Sequence, residues 1–179
     1  PFEAGLYPLT QVLLNSFLPP NTILFTLSGD AAKQAQLERI YQMVRPLRTG
    51  LLFLSIHPKF GFGQERRVNL WLRDKSPNMN LAVLAALQLS RNWEAKLTIL
   101  RVVETEAAIQ AVTADLELFV EQARLPVSTS VRVMSGDYWT HAQTLRADIT
   151  IMGMPREYAQ MIATAADFPG TLVFVQDSG

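Results

Sequence analysis

The sequence predicts an α/β fold of three layers, with helices on both faces of a mainly parallel sheet of about seven strands. Three observations carry this expectation. From Val68 onward, short β-rich runs alternate with helix-period segments, the pattern that parallel strands joined by right-handed crossovers require. Two further strand-like runs, residues 22–27 and 51–55, precede that module with a helical segment between them. Part of the chain is also written twice: residues 5–58 read like residues 136–178.

The elements follow in order. Residues 22–27 (TILFTL) form a short apolar strand, a helix spans about 31–47, and residues 51–55 form a second strand. Residues 68–72 make the next strand, with Leu70 and Trp71 on opposite faces. Asp74-Lys75-Ser76-Pro77 then switches the period. Ser76 suits an N-cap, and Pro77 suits the first helical position, where no backbone donor is needed. The helix at about 78–93 is apolar almost all round (Leu81, Leu84, Ala85, Leu87, Leu89, Trp93), so it is expected to be sandwiched deeply. Residues 96–103 (KLTILRVV) are rich in β-formers. Residues 106–124 form an amphipathic helix with a stripe of Ile109, Val112, Leu116, Phe119 and Val120, closed by Pro126. A strand at 128–134, a short helix from an Asp137 cap to 146, a strand at 149–154, a helix at 157–166 and a strand at 171–176 complete the module.

In the repeat, Asn21 to Leu27 lies over Asp148 to Met154, and Gly50 to Ser55 lies over Gly170 to Val175. From Asn21 to Gly50 is 29 positions and from Asp148 to Gly170 is 22, so the first crossover is about two helical turns longer. The first copy begins where the second is already half over. The expected division is residues 1–59 as the C-terminal part of a truncated first half, 60–67 as a linker, and 68–179 as a complete second half. The chain opens on Pro1 rather than Met, and is expected to be a piece of something longer.

Composition excludes several functional classes. Sixteen basic and sixteen acidic side chains cancel, leaving no long-range pull toward nucleic acid or an anionic membrane surface. Cysteine is absent, which removes disulfides, thiolate metal sites and thiol catalysis, and fits a reducing cytoplasm. The longest apolar run, residues 81–87, falls far short of the roughly 20 residues a membrane span needs.

Several stretches carry a family resemblance: Gly63-Gln64-Glu65, the run Val68 to Asn78 (VNLWLRDKSPN), Ser90-Arg91-Asn92-Trp93, Ala123-Arg124-Leu125-Pro126 and Phe174 to Gly179 (FVQDSG). From about residue 20 to the end, the chain resembles the soluble C-terminal domain of cation–chloride cotransporters and their prokaryotic relatives, membrane proteins of the amino-acid permease superfamily. The resemblance implies a cytoplasmic regulatory domain of two universal-stress-protein-like halves, attached after the membrane helices, that mediates dimerisation and tunes ion transport. Residues 68–176 also resemble a universal stress protein in element order, Asp74-Lys75-Ser76-Pro77 being similar to the Asp-Gly-Ser-Pro turn common there. That likeness implies a Rossmann-like three-layer fold with strand order 3-2-1-4-5 in the second half. Stress-protein dimers often join their last strands antiparallel; if the halves imitate one, residues 51–55 lie beside residues 171–175 in one continuous sheet.

In an open α/β sheet, ligands bind beyond the carboxyl ends of the strands where the winding direction reverses. Here that crevice is expected between Asp74-Lys75-Ser76 and Gly153-Met154-Pro155-Arg156, making Asp74, Ser76, Gly153 and Arg156 the candidate lining. ATP-binding stress proteins carry Gly-x2-Gly-x9-Gly-Ser/Thr after the fourth strand. Gly153 fits the first position, but Arg156 stands at the second, and Ala166 and Asp167 at the later ones. A side chain at the second glycine obstructs the backbone's approach to phosphate, and Asp167 adds negative charge. No cofactor is therefore expected.

Gly61-Phe62-Gly63 fails as a dinucleotide motif, because Arg66 stands where the last glycine belongs and the segment leads into a strand. It reads instead as a linker whose Phe60 and Phe62 are interface candidates. His57 and His141 have no ligand-spaced partner for a metal. Ser76 lacks a base in a nucleophile-elbow context, so no catalytic residue is named. Strand 22–27, which would normally pair with strands of the absent part of the first half, would present an open edge; this adds Leu24 and Phe25 as interface candidates and predicts self-association of this piece, through that edge or through a native dimer surface, with a homodimer expected. The function expected is a non-catalytic regulatory and dimerisation domain at the cytoplasmic face of the cell membrane, partnered by the transporter's membrane-spanning part. The alternative is a stress-protein-like nucleotide sensor.

Overall fold

The computed structural model describes residues 5, 8, 12, 21–47, 49–59, 63, 65–74 and 76–178. Among these run seven strands: β1 Thr22–Thr26, β2 Gly50–Ser55, β3 Arg67–Trp71, β4 Lys96–Val103, β5 Ser130–Ser135, β6 Ile149–Gly153 and β7 Thr171–Gln176. The longer helices are α1 Ala31–Val44, α2 Met79–Asn92, α3 Ile109–Gln122, α4 Tyr138–Thr144 and α5 Tyr158–Asp167. One sheet contains all seven strands in the order β1-β2-β7-β6-β3-β4-β5. Neighbours are parallel throughout except at β2–β7. Strands β3 to β7 thus have the order inferred from the stress-protein likeness, and β2 lies beside β7 as expected.

Period-two alternation distributes the strand side chains between two cores. Leu54, Val68, Leu70, Leu97, Ile99, Ile149, Ile151, Val173 and Val175 face one layer, where Ala82, Val83 and Ala86 of α2 and Leu116 of α3 cover them. Leu51, Phe53, Trp71, Leu100, Met152, Leu172 and Phe174 face the other, under Leu37 and Tyr41 of α1, Ala142 of α4, and Tyr158 and Met161 of α5. Leu70 and Trp71 part to opposite faces, and the α3 stripe packs inward.

The antiparallel seam joins the two written copies. Phe53 pairs with Phe174, flanked by Leu51 with Gln176 and Ser55 with Leu172. An approximate two-fold axis normal to the sheet passes there, relating β1–α1–β2 to β6–α5–β7 and placing α1 and α5 on the same face. Their aromatic side chains meet over the seam. Tyr41 stacks on Tyr158 with centroids 5.7 Å apart, and both meet Phe53 edge-on, at 5.7 and 6.4 Å. The Tyr41 hydroxyl donates to Gln176 Oε1 at 3.1 Å, tying the first copy to the end of the second. At the opposite end of β3, the Asp148 carboxylate accepts the amides of Arg66 and Arg67 at 2.9 Å each and pairs with the Arg67 guanidinium at 3.1 Å. That clamp fixes how the chain enters the second copy.

Four expectations need correction. The repeat register slips by one residue in its last strand. Thr22 pairs with Gly50, whereas Ile149 pairs with Thr171, so with Thr22 over Ile149 the counterpart of Gly50 is Thr171, not Gly170. Phe53 and Phe174 then become equivalent. Ser76 does not cap α2, which begins after Asn78, two residues later than the turn chemistry implied. Nor is α2 deeply sandwiched: it covers one face of the sheet, and Leu84 on its outer side is 56% exposed. Finally, 106–124 is not one continuous helix, since Glu106–Ala108 is a 3₁₀ turn leading into α3.

Candidate functional site

The winding direction reverses between β3 and β6, whose following helices lie on opposite faces of the sheet. Beyond their carboxyl ends opens a cavity of about 810 Å³, within the size range of small-molecule sites. Three walls form it. Arg73, Asp74, Ser76, Pro77 and Asn78 come from the β3–α2 loop; Asp137, Tyr138 and Trp139 come from the start of α4; Met152 to Arg156, with Gln160 and Thr164, come from β6 and α5. Asp74, Ser76, Gly153 and Arg156 all line this one cavity. The sequence reading had not singled out the aromatic wall, Arg73 or Asn78 for it.

Local chemistry explains how each wall is held. Asp137 has extended backbone and caps α4, its carboxylate accepting the Thr140 amide and hydroxyl, each at 2.8 Å. Those bonds, led by the backbone amide, hold its carboxyl below the usual carboxylate range. Gly136 before it has φ +111°, a left-handed conformation that suits glycine, and His141 Nε2 meets the Ser135 carbonyl at 2.8 Å across the same turn. Tyr138 is wedged edge-on against the buried Trp71, with centroids 5.1 Å apart, while the Arg73 guanidinium lies 4.6 Å from the Tyr138 ring centroid. Burial pushes the Tyr138 phenol up to about 12 despite that neighbouring cation. The indole N–H of Trp71 is buried without a hydrogen-bond partner among the described residues.

The loop wall is closed from afar. Asp74 Oδ1 pairs with Arg101 of β4 at 2.9 Å. Asn78 Oδ1 accepts the Asp177 amide at 3.0 Å, and the Asp177 carboxylate in turn accepts the Leu81 amide in the first turn of α2 at 3.2 Å. An anion of the chain's own thus occupies the position that a helix N-terminus offers to a phosphate. A Cβ added at Gly153 would lie 3.2 Å from Asn78 Nδ2 and 3.8 Å from Ser76 Oγ, so the glycine lets β6 and the loop approach closely.

The other singled-out residues lie elsewhere. Leu24 points outward on β1 and is 58% exposed, while Phe25 turns inward and stacks on Phe53 at 5.4 Å. Phe60 and Phe62 lie outside the described residues. Among the described residues, no three of His, Asp and Glu converge as metal ligands would, and no helix is long and apolar enough to cross a membrane.

Known proteins resemble the chain in sequence and in structure. In the crystal structure of the cytoplasmic domain of a prokaryotic cation chloride cotransporter, the likeness reaches a TM-score of 0.84 at 26% identity, covering 98% of this chain and 71% of that one. A universal stress protein from Archaeoglobus fulgidus DSM 4304 gives a TM-score of 0.59 at 14% identity over 95% of this chain and 64% of its own. A universal stress protein in complex with cAMP gives 0.51 at 18% identity over 65% of this chain and the whole of its own. These last two bear on the fold alone. No curated protein matches the chain. Of two family models, "Prokaryotic cation-chloride cotransporter, C-terminal domain, 1st" matches residues 1–62, and its companion for the 2nd domain matches residues 63–179. The chain therefore belongs to the C-terminal domain family of prokaryotic cation-chloride cotransporters.

Proposed function

We propose that the chain is a non-catalytic regulatory and dimerisation domain, carried at the cytoplasmic face of the membrane by a cation-chloride cotransporter and attached to its membrane-spanning part. In this reading residues 1–59 are the C-terminal part of one stress-protein-like half, 60–67 the linker and 68–179 the second half. The observation that carries it is family membership over the whole chain, supported by the structural likeness to a cotransporter's cytoplasmic domain.

Association follows from the sheet. Among the described residues β1 has a neighbour only on its β2 side, and Leu24 projects beside that edge into solvent. An apolar edge strand of this kind seeks another strand. Two domains associated through this edge or through another dimer surface would bias the transport cycle through their relative position, each membrane part being tied to one of them. Light scattering across a wide concentration range tests the association. A dimer is the expected species, and a strictly monomeric chain at high concentration is the result that counts against it.

A further inference from the structure

We propose that the cavity between β3 and β6 is a binding site for a compact organic anion that bears a flat ring, held by the guanidinium groups of Arg73 and Arg156 against the aromatic wall of Tyr138 and Trp139. This inference stands apart from the dimerisation reading, and neither depends on the other.

The argument starts from the charges that line the cavity. Four charged side chains among the described residues face it: Arg73, Asp74, Asp137 and Arg156. Both carboxylates are already satisfied, Asp74 by Arg101 at 2.9 Å and Asp137 by the Thr140 amide and hydroxyl. Neither guanidinium pairs with a carboxylate among the described residues. The Arg73 guanidinium lies over the Tyr138 ring at 4.6 Å, and one contact with that side chain leaves most of its five N–H donors for another acceptor. Arg156 is exposed on the opposite wall. Two uncompensated cations in a concave site call for an anion.

The rest of the lining limits what kind of anion. The backbone cradle that would embrace a chain of phosphates is shut, because Asp177 occupies the N-terminus of α2 and Asn78 lies against Gly153. Recognition therefore falls to side-chain guanidiniums, which suit a single carboxylate or phosphate monoester head. The Trp139 indole, 37% exposed and adjoining the Tyr138 ring, supplies an apolar wall on which a planar ring would stack.

Titration calorimetry tests this, with phenyl phosphate and phenylacetate as the two head groups on one ring. Inorganic phosphate supplies the charge without the ring, and benzyl alcohol the ring without the charge. The expectation is saturable binding of at least one ring-bearing anion, about one per chain, with both controls weaker by about tenfold or more. The preferred head group then assigns carboxylate or phosphate as the class. Arg156→Gln is the deciding variant, since it removes no ion pair within the described chain. It should weaken binding about tenfold or more while leaving the unfolding midpoint unchanged. No saturation up to about 10 mM, binding indifferent to Arg156→Gln, inorganic phosphate equal to phenyl phosphate, or ATP tighter than either probe would each overturn the proposal.

Discussion

Replacing Phe53 with alanine tests the seam on which the fold depends. Phe53 is fully buried, pairs with Phe174 across the antiparallel junction, and touches Phe25, Tyr41 and Tyr158 through its ring. A buried phenylalanine removes about 150–250 Å² from water, worth about 4–6 kcal/mol at 25 cal/mol per Å². Alanine keeps the Cβ, so about 3–5 kcal/mol is lost, including the void left between α1 and α5. Collapse of that void is resisted because both helices are pinned to the far copy: Tyr41 donates to Gln176, and Tyr158 donates to the Gln34 carbonyl at 3.4 Å. For a domain of this size each kcal/mol moves the thermal midpoint by about 2–4 °C, so the midpoint should fall by about 6–20 °C. Urea unfolding followed by circular dichroism and by tryptophan fluorescence measures the loss and its cooperativity. A loss under about 1 kcal/mol, or a transition that splits with one phase at the original midpoint, would refute a shared seam.

Three further outcomes follow. Asp148→Ala removes the acceptor for two amides and the Arg67 pair, and should cost about 1–2 kcal/mol at neutral pH after allowance for partial exposure. Partial burial raises the Asp148 carboxyl, but the Arg66 amide and the Arg67 contacts outweigh it and hold the group below its ordinary value. Its contribution is therefore complete above an ordinary carboxylate pKa of about 3.9 and is lost as pH falls through the lower folded value; acid titration of both proteins should show their gap closing there. Tyr138 and Tyr158 are raised to about 12 by burial, so their share of stability is complete below about 10 and disappears as pH climbs through 12. Burial raises Tyr41 as well, so absorbance at the phenolate band should show at least two tyrosines ionising late, and all four titrating near 10 would contradict it. Leu24→Lys places a charge beside the open edge at little cost to stability, within about 0.5 kcal/mol. Light scattering should show reduced self-association, and an unchanged mass would move the contact elsewhere.

The succession of strands and helices was legible because it rests on local signals, alternation between two periods and a repeat whose second copy ends as the first does; their order across the sheet came from the likeness to universal stress proteins. Phe53 and Phe174 show where such signals stop. Apolar runs align almost equally well one residue apart, and the matching glycines, Gly50 and Gly170, favoured the wrong offset; only the hydrogen-bond register of β1–β2 against β6–β7 settles it. Ser76 shows the same limit for the site. Its turn chemistry is that of a helix cap, yet the acceptor for the first turn of α2 is Asp177, 96 residues beyond Leu81. The residues at the two strand ends were legible from the switch-point rule. The aromatic wall was not, since Tyr138 and Trp139 reach the cavity from a helix that follows β5, two strands away from β3, and nothing in their local sequence marks that destination.

Most direct for the regulatory reading is chloride-dependent cation flux through the intact transporter in proteoliposomes, measured with and without this domain at matched protein content. Regulation by a domain of this kind predicts that flux, its response to conditions, or the dimer content of the reconstituted protein changes when the domain is removed. Identical flux and identical dimer content in the two preparations would contradict it.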